Sequence, residues 1–301
     1  MSETNTLTEP VLRPEQLEAF HRDGFVVAKI FEKEDFELIQ ALITRWIDQR
    51  LEALGQEGKE LDAHSESPFE KRAGKMLEQF PGFFNGFDLN TGLLGPEVFA
   101  HMSHPRMVAA VSQILEDEVS LNPVMHIRVK PPLESGTTRS GFDNVPWHQD
   151  AGVYTEDTDG TTILTCWRPI GDATVEMGCM ELIPGVEGPE PLPHGSSEYG
   201  TAIWDEILPK TTPVPAPCKI GEVVIMRQYT PHKGLPNLSD KCRWSMDIRY
   251  HVQGAPSGRA WQPEAPLTGP KVATHTEWVE DWQNCDDMRT RHRVTQREEE
   301  K

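Results

Sequence analysis

Two histidines and an aspartate, distant in the chain, restrict its fold more than any other feature. His148 and Asp150 lie two residues apart in the run VPWHQD, and His232 follows much later. On a β-strand, residues i and i+2 point to the same face, so a strand at 148–150 would direct both side chains at one ion. A sheet that closes on itself would return His232 to that point. Two histidines and one carboxylate form the facial ligand set of non-haem Fe(II) oxygenases.

A further residue, Arg243, extends this pattern beyond a simple metal site. It begins an apolar-rich run that is separated from His232 by the turn-forming residues 235–240. This pattern predicts a β-hairpin, with His232 and Arg243 on adjacent strands. A guanidinium near the metal can bind a carboxylate through two parallel hydrogen bonds, and we expect the distal carboxylate of 2-oxoglutarate there.

Basic side chains alternate along the segment that precedes the metal motif. In residues 124–130 one face carries His126, Arg128 and Lys130, and the other carries apolar residues. This basic face looks either into an interior cavity or outward to solvent. The same alternation places three polar residues on the face of Arg243, namely Ser245, Asp247 and Arg249.

A series of motifs carries a resemblance to a known family. In chain order they are Trp147-His148-Gln149-Asp150, Trp167 within CWRPI, GCMELIPG at 178–185, GEVVI at 221–225, His232-Lys233-Gly234, Asn237 and Arg243. Together with FHRDGFVV at 20–27 and the long helix expected after it, these motifs resemble the phytanoyl-CoA dioxygenase family of Fe(II)/2-oxoglutarate oxygenases. The resemblance extends over roughly residues 12–252.

The resemblance implies both a fold and a set of residue roles. The fold is an all-β core with flanking helices, a cupin-like double-stranded β-helix (jelly roll). His148, Asp150 and His232 would bind Fe(II) and carry catalysis, with 2-oxoglutarate and O2 as cosubstrates. Beside Arg243, the expected cosubstrate contacts are Lys130 and Trp167. For the substrate, the resemblance favours contacts from the strand at 124–130, here Arg128 and His126, and strand alternation adds Asp247.

The expected reaction is hydroxylation of a small polar or anionic metabolite or natural-product intermediate, with release of succinate and CO2. An apolar substrate would leave inward-facing charges desolvated and unpaired, which is costly. Two alternatives remain open. One is a metal-binding or small-molecule-binding jelly roll without catalysis, and the other is an oxygenase that performs desaturation, epimerisation or cyclisation.

Composition limits the expected number of domains, the binding partners and the cellular compartment. The 301 residues, 37% of them hydrophobic, suffice for one domain, and we expect 1–11 and about 288–301 to be flexible. A net charge of −19 disfavours nucleic acid and anionic membranes as partners. Five cysteines without a CxxC pair favour reduced thiols over disulfides or a zinc ribbon. With no long apolar segment and a polar amino terminus, we expect a cytoplasmic protein.

Helices are expected first and strands later. The patterns predict a short helix at 14–21, a strand at 25–28, a helix at 32–54, a polar loop at 55–75 and a helix at 105–115. Short strands follow residue 121, except for a proline-rich irregular segment at 188–217. The buried side of the long helix is predicted to hold Phe36, Ile39, Ala41, Leu42, Trp46 and Leu51. The tail after residue 254 should pack in part through Trp261, Trp278 and Trp282.

Overall fold

Helices form most of the first part of the chain and strands most of the rest, as the residue patterns predict. The computed structural model describes residues 10–133, 145–186, 188, 190–197 and 200–285. The predicted flexible ends lie almost wholly outside these residues. The amino-terminal elements are α1 (Pro14–Asp23), β1 (Phe25–Lys29), α2 (Glu37–Gln56), α3 (Phe69–Gln79), α4 (Leu89–Gly92), α5 (Pro96–Met102) and α6 (Pro105–Leu115).

The later elements build two antiparallel sheets and a hairpin. They are β2 (Val119–Leu121), β3 (His126–Lys130), β4 (Ile163–Pro169), β5 (Met180–Leu182), β6 (His194–Ser197), β7 (Gly200–Ile203), β8 (Val214–Ala216), β9 (Glu222–Arg227), β10 (His232–Gly234), β11 (Arg243–Val252), β12 (Ala265–Pro266) and α7 (His275–Gln283). The large sheet has the order β1-β9-β4-β11-β2-β12, with β3 also paired to β11. The small sheet has the order β10-β5-β8, and β6 pairs with β7. The predicted jelly roll with flanking helices is confirmed.

Strand β11 separates the core from an interior cavity. Its alternate residues Trp244, Met246, Ile248 and Tyr250 belong to the main hydrophobic core, which the helices complete. The intervening charged residues of β11 line the cavity, as do His126, Arg128 and Lys130 of β3. The basic face of β3 therefore looks inward, and the solvent-facing alternative is wrong.

The long helix differs in detail from its prediction. A 3-10 turn occupies Glu34–Phe36, and α2 begins only at Glu37. Ala41, which was predicted on the buried side, is exposed, whereas Ile43 and Ile47 are buried. Residues four apart share a helix face, so Ile43 and Ile47 continue the stripe of Ile39 and Ala41 falls outside it.

The predicted loop at 55–75 is wrong in its last part, because α3 starts at Phe69. The helix was not predicted because most of its residues are polar. Arg72 is buried, donates to the backbone oxygen of Ala63 and forms an ion pair with Asp48 of α2. The Met76 and Leu77 side chains of α3 pack in the main core.

The segment at 188–217 is also more regular than predicted. Its described residues include the β6–β7 hairpin and β8. Proline is tolerated in β8 because this strand lies at the edge of the small sheet, where Pro215 needs no donor on its outer side.

The predicted hairpin between His232 and Arg243 is wrong. Strand β10 belongs to the small sheet and β11 to the large one, so residues 235–242 cross between sheets. The Asn237 side chain holds this crossing by donating to the backbone oxygens of Lys130 and Lys241, at 3.0 and 2.7 Å. Sequence proximity suggested adjacent strands, but each strand pairs with distant segments.

The tail after residue 254 packs on the domain as expected. Trp278 and Trp282 of α7 are buried in the main core, and Trp261 is partly buried. Among the helices that the structure describes, none is both long enough and apolar enough to cross a membrane.

Removal of a core side chain from β11 should cost far more stability than removal of an exposed one. Ile248→Ala deletes a fully buried side chain and should lower the free energy of unfolding by about 2–5 kcal/mol. Leu238→Ala, at a side chain 64% exposed, should change it by less than about 0.5 kcal/mol. Urea denaturation measures both values. Equal losses would contradict the assignment of β11 to the core.

Candidate active site

A backbone bridge joins the two histidines. The His148 amide donates to the backbone oxygen of His232 at 3.1 Å, and the His232 amide donates back to that of His148 at 2.9 Å. Their ring centroids lie 4.1 Å apart. Because directly paired residues of antiparallel strands present their side chains on the same side, the bridge brings both imidazoles to one point.

Asp150 joins the histidines, although it does not lie on a strand. It is the first residue of a 3-10 turn, Asp150–Val153, which corrects the strand expected at 148–150. Gln149 is nevertheless extended, so Asp150 still points to the side of His148. His148 Nε2 lies 3.9 Å from Asp150 Oδ1, and a ligand atom of each of the three residues lies within 4.8 Å of the others.

The hydrogen bonds of the histidines fit a metal ion. His148 Nδ1 lies 2.9 Å from the backbone oxygen of Pro146, and His232 Nδ1 lies 2.9 Å from that of Thr230. Both Nδ1 atoms must therefore carry the proton, which leaves both Nε2 lone pairs for a metal. Burial, reinforced by neighbouring His232, lowers the pKa of His148 to about 3, so its ring is neutral at physiological pH. With the Asp150 carboxylate, the donor set suits Fe(II).

Arg249 holds the carboxylate of Asp150. Its Nη2 lies 2.7 Å from Oδ1 and its Nε lies 3.3 Å from Oδ2, while Thr165 donates to Oδ2. Burial acts to raise the pKa of Asp150, but the Arg249 guanidinium, aided by the two neighbouring imidazoles, outweighs it and lowers the pKa. Arg249 was predicted only as one of several charges in the cavity. The structure instead makes it the residue that orients a candidate metal ligand.

The triad opens into a cavity of about 700 Å³. Two hydrogen-bonded pairs lie on its wall, both involving predicted substrate contacts. Arg128 Nε donates to Asp247 at 2.9 Å, and His126 Nδ1 lies 2.8 Å from Asp88. These side chains therefore reach the cavity already paired with one another.

The predicted cosubstrate residues form another part of the wall. Lys130 and Arg243 are direct partners across β3 and β11, and both are buried. The Arg243 guanidinium lies 5.1 Å from the ring centroid of Trp167 and donates to the backbone oxygen of Gly178 at 3.1 Å. Lys130 Nζ donates to the backbone oxygen of Leu235 at 2.5 Å.

Several residues of the site were not found from the sequence. Thr165 could have been found, because it lies two residues before Trp167 on β4 and therefore on the same face. Asp88 precedes a four-residue helix, and Arg259 lies in an irregular tail, so neither carries a periodic signal.

Solved structures with this fold include enzymes of the non-haem kind. The chain has a TM-score of 0.54 and 19% identity to the alpha-ketoglutarate-dependent carbocyclase SnoK of nogalamycin biosynthesis, with 86% of this chain and 88% of that one covered. It has a TM-score of 0.52 and 21% identity to the alpha-ketoglutarate-dependent epimerase SnoN, with 86% and 91% covered. At such low identity, these likenesses establish a shared fold.

The fold and the triad together define a non-haem dioxygenase of the Fe(II)- and 2-oxoglutarate-dependent class. The family model of phytanoyl-CoA dioxygenase matches residues 8–245, so the chain belongs to that family. Phytanoyl-CoA dioxygenase domain-containing protein 1 of Bos taurus is 27% identical in an alignment 289 residues long, with 84% of this chain and 94% of the relative covered.

Loss of Arg249 should destabilise the metal-free protein. Arg249→Met leaves the buried Asp150 carboxylate without its cation, and the free energy of unfolding should fall by about 3–5 kcal/mol. Arg45→Met, at an exposed arginine of α2, is the matched control and should change it by less than about 0.5 kcal/mol. Chemical denaturation in the presence of a chelator measures both. An unchanged stability of Arg249→Met would show that the pair is energetically neutral.

Proposed function

We propose that this dioxygenase hydroxylates a small polar or anionic molecule. The convergence of one ligand atom from each of His148, Asp150 and His232 in a charged cavity is the observation that carries the proposal. In it, these three residues bind Fe(II) and leave the remaining coordination positions for 2-oxoglutarate and O2. Iron loaded in this way supplies the oxidation of a C–H bond, with release of succinate and CO2.

The protein contributes orientation of the metal ligands. The Nδ1 hydrogen bonds of the histidines fix both rings, and Arg249 with Thr165 fixes the carboxylate of Asp150. Because every member of the triad is held by a second group, the ligands need little reorganisation when the metal binds. Such preorganisation is what a reaction between three bound partners requires.

Arg243 and Lys130 are proposed to bind the distal carboxylate of 2-oxoglutarate. Two cations that face each other across strands repel one another, and a shared carboxylate relieves the repulsion. Gly234, two residues after the candidate ligand His232, leaves room for this arrangement. A Cβ atom there would lie 3.1 Å from Lys130 Nζ, so the lysine fills the space that a side chain would take.

The polar substrate follows from the cavity wall. The Arg128–Asp247 and His126–Asp88 pairs present both signs of charge to the interior. A polar substrate can hydrogen-bond to these groups, whereas an apolar one would only desolvate them, at a cost of free energy. The charges therefore favour a substrate with hydrogen-bonding groups of its own.

Removal of a proposed iron ligand should abolish both iron binding and turnover. His232→Ala leaves two protein ligands, which are too few for a facial Fe(II) site. Anaerobic Fe(II) titration and succinate release from 2-oxoglutarate are the two measurements. His275→Gln, at an exposed histidine of α7, should behave like the unmodified protein. Retention of iron and succinate release by His232→Ala would refute the triad. Iron binding by the unmodified protein without any succinate release would favour a binding protein over an enzyme.

Substitution of Arg243 should weaken the binding of 2-oxoglutarate and leave the binding of Fe(II) nearly unchanged. Arg243→Lys keeps the charge but removes the two-pronged contact, and the dissociation constant of 2-oxoglutarate should rise about 10- to 100-fold. The dissociation constant of Fe(II) should stay within about twofold, because Arg243 is no part of the triad. Anaerobic calorimetry measures both. An unchanged affinity for 2-oxoglutarate would indicate that Lys130 or Arg128, and not Arg243, binds its distal carboxylate.

A further inference from the structure

Among the described residues, those that line the cavity carry a net positive charge, although the protein as a whole is strongly negative. The whole chain carries a net charge of −19. Among the described residues that line the cavity, however, cations outnumber carboxylates by five to three: Arg128, Lys130, Arg243, Arg249 and Arg259 against Asp88, Asp150 and Asp247. Bound Fe(II) would add two positive charges and 2-oxoglutarate two negative ones, so the excess positive charge persists in the loaded enzyme.

The pairings identify where that excess lies. All three carboxylates are engaged, since Asp150 is bound by Arg249, Asp247 by Arg128 and Asp88 by His126. Lys130 and Arg243 are the proposed ligands of 2-oxoglutarate. Of the cations that the structure describes on the cavity wall, this leaves Arg259.

Arg259 is a buried cation that forms no ion pair with any carboxylate among the described residues. Arg259 is only 4% exposed, and its Nη2 donates to the backbone oxygen of Val153 at 3.0 Å. Within the described part of the chain, its Nε has no hydrogen-bond partner and no acidic group forms an ion pair with it. Burial and the nearby charge of Arg249 lower its pKa. A buried guanidinium in this condition costs stability unless an anion compensates it.

The backbone holds Arg259 in place through several contacts. The Arg259 amide donates to Ser257 Oγ at 3.3 Å, and Asn122 Nδ2 donates to the backbone oxygen of Ser257 at 2.9 Å. Gly258 has a φ of 75°, and a Cβ atom there would lie 2.8 Å from Cβ of Tyr154. Only glycine permits this close passage, so the segment is fitted against the wall of the cavity.

We propose that Arg259 binds an anionic group of the substrate, a carboxylate, phosphate or sulfate, and so selects anionic substrates. This inference rests on the proposed function and names the class of molecule that the same cavity accepts. A guanidinium that lines the cavity can bind such a group through charge-assisted hydrogen bonds. Arg259 lies beyond residue 245, where the family match ends, so this selectivity belongs to the carboxyl-terminal segment of the chain.

The test compares each acid with its neutral isostere. The probes are hexanoate and hexanamide, 4-phenylbutanoate and 4-phenylbutanamide, and inorganic phosphate and sulfate. They are titrated by calorimetry into the oxygen-free enzyme loaded with Fe(II) and 2-oxoglutarate, and again into the metal-free protein. The proteins compared are the unmodified chain, Arg259→Gln, Arg259→Lys, Arg243→Lys and the exposed control Arg45→Gln.

The unmodified protein and Arg45→Gln should bind at least one acid about tenfold or more tightly than its amide, or bind phosphate or sulfate. Arg259→Gln should lose this preference while its affinity for 2-oxoglutarate stays within about twofold. Arg259→Lys should retain part of the preference, which excludes misfolding as the cause of the loss.

Two results would overturn the proposal. One is the absence of any preference for anions in the unmodified protein. The other is a preference that persists in Arg259→Gln, above all if Arg243→Lys abolishes it, since the anion would then occupy the cosubstrate site. Failure of the proposed function is seen separately, as absence of binding when 2-oxoglutarate itself is first titrated into each Fe(II)-loaded protein, while the metal-free series still reports on Arg259.

Discussion

Strand β11 must satisfy two opposite environments along its whole length, and the remainder of the site depends on this constraint. One face packs against the helices through Trp244, Ile248 and their neighbours, and the other carries charged side chains into the cavity. Buried charges are tolerated only where they are paired or hydrogen-bonded. The partners of Asp247 and Arg249 therefore lie on β3 and at the candidate metal triad.

Local periodicity predicted the parts of the site that depend on one strand at a time. The alternation on β3 and β11 identified the residues of the cavity wall, and the His-x-Asp spacing identified the triad. The partner of each charge was not predictable, because alternation gives the face of Arg249 but not its contact with Asp150. Sheet membership is likewise non-local, which is why the predicted hairpin after His232 is wrong.

The family match and the carboxyl-terminal segment divide the cavity between them. Residues 8–245 contain the candidate triad, the β3 cations and Arg243, which are the residues proposed to bind Fe(II) and 2-oxoglutarate. Arg249 and Arg259 follow this region, on β11 and on the irregular segment after it. A scaffold with a fixed reaction centre can thus change its substrate through a short adjoining segment, the usual place for specificity in such folds.

The crossing at Asn237 has a mechanical consequence. His232 belongs to the small sheet and Arg243 to the large one, so the two proposed anchor points of 2-oxoglutarate, the iron and the guanidinium, are carried by separate layers. Any sliding of one layer past the other changes the distance that 2-oxoglutarate, a five-carbon diacid, must span. Asn237 hydrogen-bonds the backbone of Lys130 on β3 and so fixes the crossing segment to the large sheet. The two proposed anchors can then hold one 2-oxoglutarate molecule only when the two sheets keep a particular alignment.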